Sequence, residues 1–204
     1  MTAQKAPPTN VSAAEQTQAA RIGAVIFRNR GWLPVPFLLV PLLAPGQMDP
    51  RTTLTGIVLM VIGEAWRMWG VATAGTVTRR RSRNVGKLVA HGPFAWSRNP
   101  LYNGNFLLWM GIITISGVLW FLPVATLIFA IEYYYIVRYE EGVLESIFSQ
   151  EYLSYKANTP RWFPRPPATS AGEFFWAEAW KSEISTFLQF AAIIGLFYAK
   201  DRWF

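Results

Sequence analysis

Four runs of the chain carry almost no charge: residues 32–45, 53–73, 101–137 and 184–199. Inside them stand only Glu64, Arg67 and Glu132. The surface helix of a soluble protein shows a polar side chain every three or four residues, because one face meets water. These runs mostly lack that interruption. A helix needs about 20 apolar residues to cross the hydrocarbon of a bilayer. The pattern therefore predicts an all-α, multi-pass integral membrane protein with about five transmembrane helices. Residues 53–73 suit one span. Residues 101–137 are too long for one and suit two, folded as a hairpin near Ser116-Gly117. Residues 184–199 are short, but Phe174, Phe175, Trp176 and Trp180 extend them into the interface, where aromatic rings gather. Residues 32–45 are also short and hold Pro34, Pro36 and Pro41, as a distorted span or a re-entrant segment would.

Composition agrees with this picture and narrows it. The 204 residues are 52% hydrophobic and 15% charged, against about 25% charge in average soluble domains. Disorder is excluded for most of the chain, because it needs low hydrophobicity and high charge. The absence of Cys excludes disulfides, thiolate metal sites and thiol catalysis, and a single His leaves no multi-histidine metal site. Lys and Arg set the orientation. With the N-terminus inside, residues 1–31, 74–100 and 138–183 lie on the cytoplasmic side and hold 15 basic residues; the other side holds Arg51, Lys200 and Arg202. The net charge of +7 does not argue for nucleic acid. Arg79, Arg80, Arg81 and Arg83 follow a span, where basic clusters meet anionic lipid heads. Residues 1–20 are polar and Ala-rich and read as a flexible tail ahead of a single membrane domain, 21–204.

Two segments on the basic side combine polar residues unusually. The first is His91-Gly-Pro-Phe-Ala-Trp-Ser-Arg-Asn-Pro-Leu-Tyr-Asn-Gly104. Asn99 and Pro100 suit the start of a helix, which places Arg98 beside a helix N-terminus, a setting for a carboxylate or phosphate. Gly104 permits close approach of a ligand or another helix. The same residues also fit an interfacial anchor, with Trp96 and Tyr102 as belt aromatics. The second segment starts at Arg138-Tyr-Glu140-Glu141. Glu141, Leu144, Phe148, Tyr152 and Tyr155 recur at helical spacing and are expected on one face, with Pro160 ending the helix. Adjacent Glu140 and Glu141 point in different directions. Glu64 and Arg67, three apart, can pair along their helix, or face an acceptor cavity together with Trp66.

In order and on one membrane face, these segments resemble the isoprenylcysteine carboxyl methyltransferase family and its relative, phosphatidylethanolamine N-methyltransferase. The matching pieces are Gly92-Pro93-Phe94, Arg98-Asn99-Pro100-Leu101-Tyr102-Asn103-Gly104 and Glu140-Glu141-Gly142-Val143-Leu144. Phe148, Tyr152, Tyr155 and Pro160-Arg161-Trp162-Phe163-Pro164 complete the pattern, across a core of about 86–165. Where the family has His between Arg and Pro, this chain has Asn99, which hydrogen-bonds but does not titrate. The resemblance implies S-adenosylmethionine as methyl donor and a lipophilic acceptor arriving from the bilayer. It implies Arg98 near the cofactor carboxylate and Glu140 or Glu141 at its amino group or ribose, or as base for an amine or thiol acceptor. It also implies His91, Gly92, Phe94, Asn99, Pro100, Tyr102 and Gly104 around the cofactor, closed over by Tyr152, Tyr155 and Arg161. Two other readings compete. A sterol-type reductase would use NADPH and favour more basic residues. The other is a non-catalytic transporter or scaffold, and a transporter would place its polar groups near the bilayer midplane.

Overall fold

A computed structural model describes residues 18–75 and 86–203. The run Arg79, Arg80, Arg81 and Arg83 and residues 1–17 of the expected tail lie outside the described residues. Among the described residues there are eight helices and no strand: α1 (Gln18–Arg28), α2 (Pro34–Leu43), α3 (Pro50–Ala74), α4 (Pro93–Trp96), α5 (Pro100–Ile115), α6 (Phe121–Phe148), α7 (Gln150–Asn158) and α8 (Trp176–Trp203).

The start of α3 is written locally. The Asp49 carboxylate accepts from the Arg51 and Thr52 amides at 2.8 and 3.4 Å, and Pro50 occupies the first helical position, where its missing N–H costs nothing. Gly75 follows the helix at φ 63°, a positive value that glycine adopts without steric cost. The α5–α6 hairpin turns at Ser116 and Gly117, where the charge pattern placed it; Gly117 has φ 73°.

The tightest packing joins α3 to α5. A Cβ on Gly56 would stand 2.5 Å from the Gly111 carbonyl oxygen, and one on Gly63 would stand 2.8 Å from that of Gly104. Both pairs are seven residues apart, so two antiparallel helices meet along a seam of hydrogen-only side chains. Small residues bring helix backbones this close where lipid supplies no hydrophobic drive. Gly111→Leu is expected to lower stability by about 3 kcal/mol, the scale of core overpacking. Thermal unfolding of the detergent-solubilised protein, followed by circular dichroism, measures it.

Among the described residues, three helices are long and apolar enough to cross a membrane: α3, α6 and α8. α5, at 16 residues, measures about 24 Å, and α2, at 10 residues, about 15 Å. α2 alone is therefore half a crossing. Phe37 anchors it at 2% exposure against Trp109 and Phe129. α1 lies along α6, with Gly23 on the Tyr135 carbonyl.

The bundle has two polar ends. At one, the Lys200 ammonium holds the Pro41 and Ala44 carbonyls, and Asp201 accepts from the Met48 amide. At the other, the two unusual segments meet. One expectation is corrected there. The face from Glu141 to Tyr155 does not run along a single helix. α6 stops at Phe148, Ser149 takes φ 47°, and α7 starts in a new direction. The 47° value is costly for a residue with a side chain, so packing, not local preference, sets this break.

Candidate functional site

The residues 96–103 and 160–165 are stapled together. The Arg98 amide donates to the Pro160 carbonyl at 2.9 Å, and the Arg165 amide to that of Trp96 at 3.0 Å. Side chains repeat the pattern. Asn99 Nδ2 donates to the Arg161 carbonyl at 2.9 Å and Asn103 Nδ2 to that of Trp162 at 2.8 Å. Ser97 is fully buried, and its oxygen accepts from Asn103 Nδ2 and from the Asn99 amide, both at 3.2 Å. Asn99 stands at the N-cap of α5 as expected, but its side chain does not cap the helix. It reaches across to the other segment instead. A histidine is not needed for that contact, since a neutral amide donor meets it.

Beneath the staple lies a cluster of charge. Glu141 accepts from Arg161 Nε at 3.0 Å and Nη2 at 2.7 Å, a two-point contact. Its Oε1 also stands 3.1 Å from Arg98 Nη2. Arg98 Nη1 donates to the Lys156 carbonyl at 3.1 Å. The Arg98 and Glu141 side chains are 8% and 7% exposed, and that of Arg161 32%. The hydrogen bond that Arg161 donates to Glu141 raises the Arg161 pKa above its ordinary value. One carboxylate thus holds two guanidiniums, and charge-assisted contacts of this kind are the strong ones.

Glu140 points elsewhere, as adjacency on a helix requires. Its Oε2 accepts from the Tyr102 hydroxyl at 2.7 Å, and the Tyr102 ring lies 4.5 Å from that of Tyr133. Tyr152 is 1% exposed and packs 5.9 Å from Tyr155. Burial pushes the Tyr155 hydroxyl up from its ordinary pKa, so it stays protonated and donates to the Phe94 carbonyl at 2.7 Å. Tyr155→Phe is expected to cost about 1 kcal/mol, the net worth of one such hydrogen bond, with a small fall in thermal midpoint as the readout.

The first segment is covered by the connector into α8. The Gly92 amide donates to the Ser170 carbonyl at 3.0 Å, and His91 Nε2 sits 3.1 Å from that of Glu173. Beside Tyr155 opens a cleft of about 420 Å³, bounded by Ala90, Ala95, Asn158, Thr159, Arg165 and residues 166–169. Sequence reasoning missed this wall. Pro166-Pro167 suits a loop, but nothing in the sequence says which groove that loop borders.

The remaining expected residues are Gly104, Pro100, Glu64, Arg67 and Trp66. Gly104 meets the Arg67 side chain and the Gly63 carbonyl, so of its two expected uses the structure shows helix packing. Pro100 is buried at the start of α5. Glu64 and Arg67 pair at 3.4 Å, but Arg67 also reaches Glu183 at 2.9 Å and Asn105. Their partners on α5 and α8 were not signalled by spacing. Trp66 packs edge-on against Trp69 and Trp96, which ties α3 to the site helix α4. None of Glu64, Trp66 and Arg67 borders the 420 Å³ cleft.

Residues 52–151 match the family model described as phospholipid methyltransferase. The chain is 30% identical over 118 residues to a protein-S-isoprenylcysteine O-methyltransferase of Mus musculus, covering 54% of this chain and 40% of that one. The enzyme of the same name from Saccharomyces cerevisiae is 34% identical over 112 residues, 51% of this chain and 45% of that one. The cobalt-zinc-cadmium resistance protein CzcN of Cupriavidus metallidurans is 31% identical over 112 residues, 55% and 47%. The chain thus spans about half the length of the curated relatives it matches. No solved structure matches. The matched segment contains α5, the hairpin, Arg98, Glu140 and Glu141, and stops before Tyr155 and Arg161. Over residues 52–151 the chain belongs to the phospholipid methyltransferase family.

Proposed function

We propose that this chain transfers a methyl group from S-adenosylmethionine to a lipophilic acceptor, at the end of the bundle where residues 91–104 and 138–164 meet. One observation carries the reading. Arg98, Glu141 and Arg161, from both motifs, form a buried cluster of opposite charges at the top of the α5–α6 hairpin. The residues fit the cofactor chemically. A guanidinium beside a carboxylate is complementary to the carboxylate and ammonium of an amino-acid end. The adjacent cleft, about 420 Å³, lies in the range of small-molecule pockets, and Tyr155 borders both. The Tyr155 ring there suits a sulfonium by cation–π attraction.

S-adenosylmethionine supplies a methyl group already activated by its positive sulfur. What the chain's own residues do is hold, align and exclude water. Arg98 and Glu141 orient the amino-acid end, and Arg161 and Tyr155 close over it. His91, Gly92 and Phe94 fix the wall under the connector. A carboxylate acceptor arrives ionised and needs no base. An amine or thiol must lose a proton, and Glu140, hydrogen-bonded to Tyr102, is placed to hold it. The acceptor enters from the bilayer, which the long apolar helices α3, α6 and α8 imply. In a five-crossing arrangement this end lies on the cytoplasmic side, where the basic residues concentrate.

Binding separates this reading from a reductase. S-adenosylhomocysteine is expected to raise the thermal midpoint of the purified protein by several degrees, as mass action on the folded state requires, and NADPH to leave it unchanged. The reverse pattern would remove the methyltransferase reading.

A further inference from the structure

A second polar site lies deeper, and neither motif accounts for it. Between α2 and the α5–α6 hairpin runs a narrow cleft bordered by Arg30, Leu33, Phe37, Trp109, Glu132 and Tyr133. Two of these residues are charged, and they face the same space without pairing with each other. The Arg30 guanidinium stands 4.3 Å over the Phe27 ring and forms no ion pair among the described residues. Glu132 Oε2 is buried and has no hydrogen-bond partner. Ionisable groups at membrane depth are expensive and normally pair with each other or with a ligand. Here, among the described residues, Glu132 Oε2 has no partner and Arg30 reaches no carboxylate at ion-pair distance, Glu140 being its longer-range counter-charge; Phe37 at 2% exposure fixes one apolar wall.

The volume limits what fits. About 30 Å³ holds about two water-sized groups, enough for the two polar ends of a small head but not for an acyl chain. A chain would lie outside, against lipid, where α2 exposes Leu39. The position is also informative. Tyr133 borders the cleft and packs on Tyr102, whose hydroxyl meets Glu140. The cleft therefore lies next to the proposed reaction site. Arg30 belongs to the α1–α2 elbow, which precedes the family-matched residues 52–151.

We propose that the α1–α2 elbow is the acceptor's head-group site, in which Arg30 takes an anionic group and Glu132 an ammonium or hydroxyl of the same amphiphile. The inference rests on the methyltransferase reading for the word acceptor, and on the cleft alone for the ligand chemistry. An amphiphile carrying only one of the two groups leaves either Arg30 or Glu132 without its counterpart.

The test uses the full chain in maltoside micelles, with radiolabelled N-dodecyl-β-alanine displaced by its own unlabelled form, by dodecylamine or by dodecanoate. The two-group probe is expected to bind about tenfold more tightly than either single-group competitor, the scale of one charge-assisted hydrogen bond. Arg30→Gln should abolish its advantage over dodecylamine, and Glu132→Gln its advantage over dodecanoate. Photolabelling of the unmodified protein needs no variant: a diazirine near the head of the probe should mark peptides containing Arg30 to Phe37 and Phe129 to Tyr133. Labelling confined to other peptides, or folded variants with unchanged head-group preference, would overturn the site. S-adenosylhomocysteine binding measured on the same samples keeps the two readings apart. If it binds while the preference is flat, only the elbow site falls. If the preference holds without it, the elbow stands and the methyltransferase reading falls.

Discussion

Glu141→Gln should abolish methyl transfer and lower stability by about 3 kcal/mol, the lower end of the range for breaking a buried ion pair. The lower end applies because Arg161, one of its two partners, is 32% exposed and regains some hydration. The loss has two sources. Glutamine fills the same space but brings no charge, so Arg98 at 8% exposure keeps a buried cation without its anion. Arg98 and Arg161 then also face each other as like charges with no counter-charge between them. Stability and activity should separate in the double variant. Arg98→Gln together with Glu141→Gln removes both members of the pair and should recover part of the lost stability in denaturant unfolding. It should recover no transfer, because the cofactor's amino-acid end still lacks both counterparts. A double variant that regains activity with stability would make the cluster structural only.

Arg67→Met should destabilise the bundle by about 3–5 kcal/mol. Glu183 is 0% exposed and meets Arg67 Nη2 at 2.9 Å. Removing the guanidinium takes a charged partner from a carboxylate that water does not reach. The long Met side chain preserves most of the packing against Gly104, so the loss reports on charge and not on a cavity. Adding Glu183→Met should return part of the stability, since a buried ion pair replaced by apolar groups of similar volume is often neutral, while Glu64 still lacks the Arg67 guanidinium. Thermal unfolding of the single and double variants measures both. A single variant as stable as the parent would show that this pair contributes nothing to holding α3 against α8.

The outline of this fold was legible because apolar length is a one-dimensional signal. The break between α5 and α6 at Ser116-Gly117 and the start of α8 near Trp176 both follow from where charge and turn residues stop and resume. The partnership of the two polar segments was legible through their order and composition, and Arg98, Glu141 and Arg161 do meet. What the chain does across space was not. Ser149 carries no mark of the positive φ that turns α6 into α7, since serine has no preference for it. Gly104 reads the same whether a ligand or a helix lies opposite, and only Gly63 and Arg67 decide between them. Arg67 showed its neighbour Glu64 by spacing, while Glu183 lies 116 positions away. The unpaired Arg30 and Glu132 were hidden for the same reason, being apart in sequence and joined only by the elbow of α1 and α2.

The most direct measurement is transfer of a labelled methyl group from S-adenosylmethionine, with the purified chain in lipid or mild detergent, into a total lipid extract and into a prenylcysteine analogue. The site described here requires label in the organic phase, dependent on the protein and lost in folded Arg98→Ala and Glu141→Gln variants. Label that persists in both variants, or no transfer and no S-adenosylhomocysteine binding by the folded parent, would contradict it.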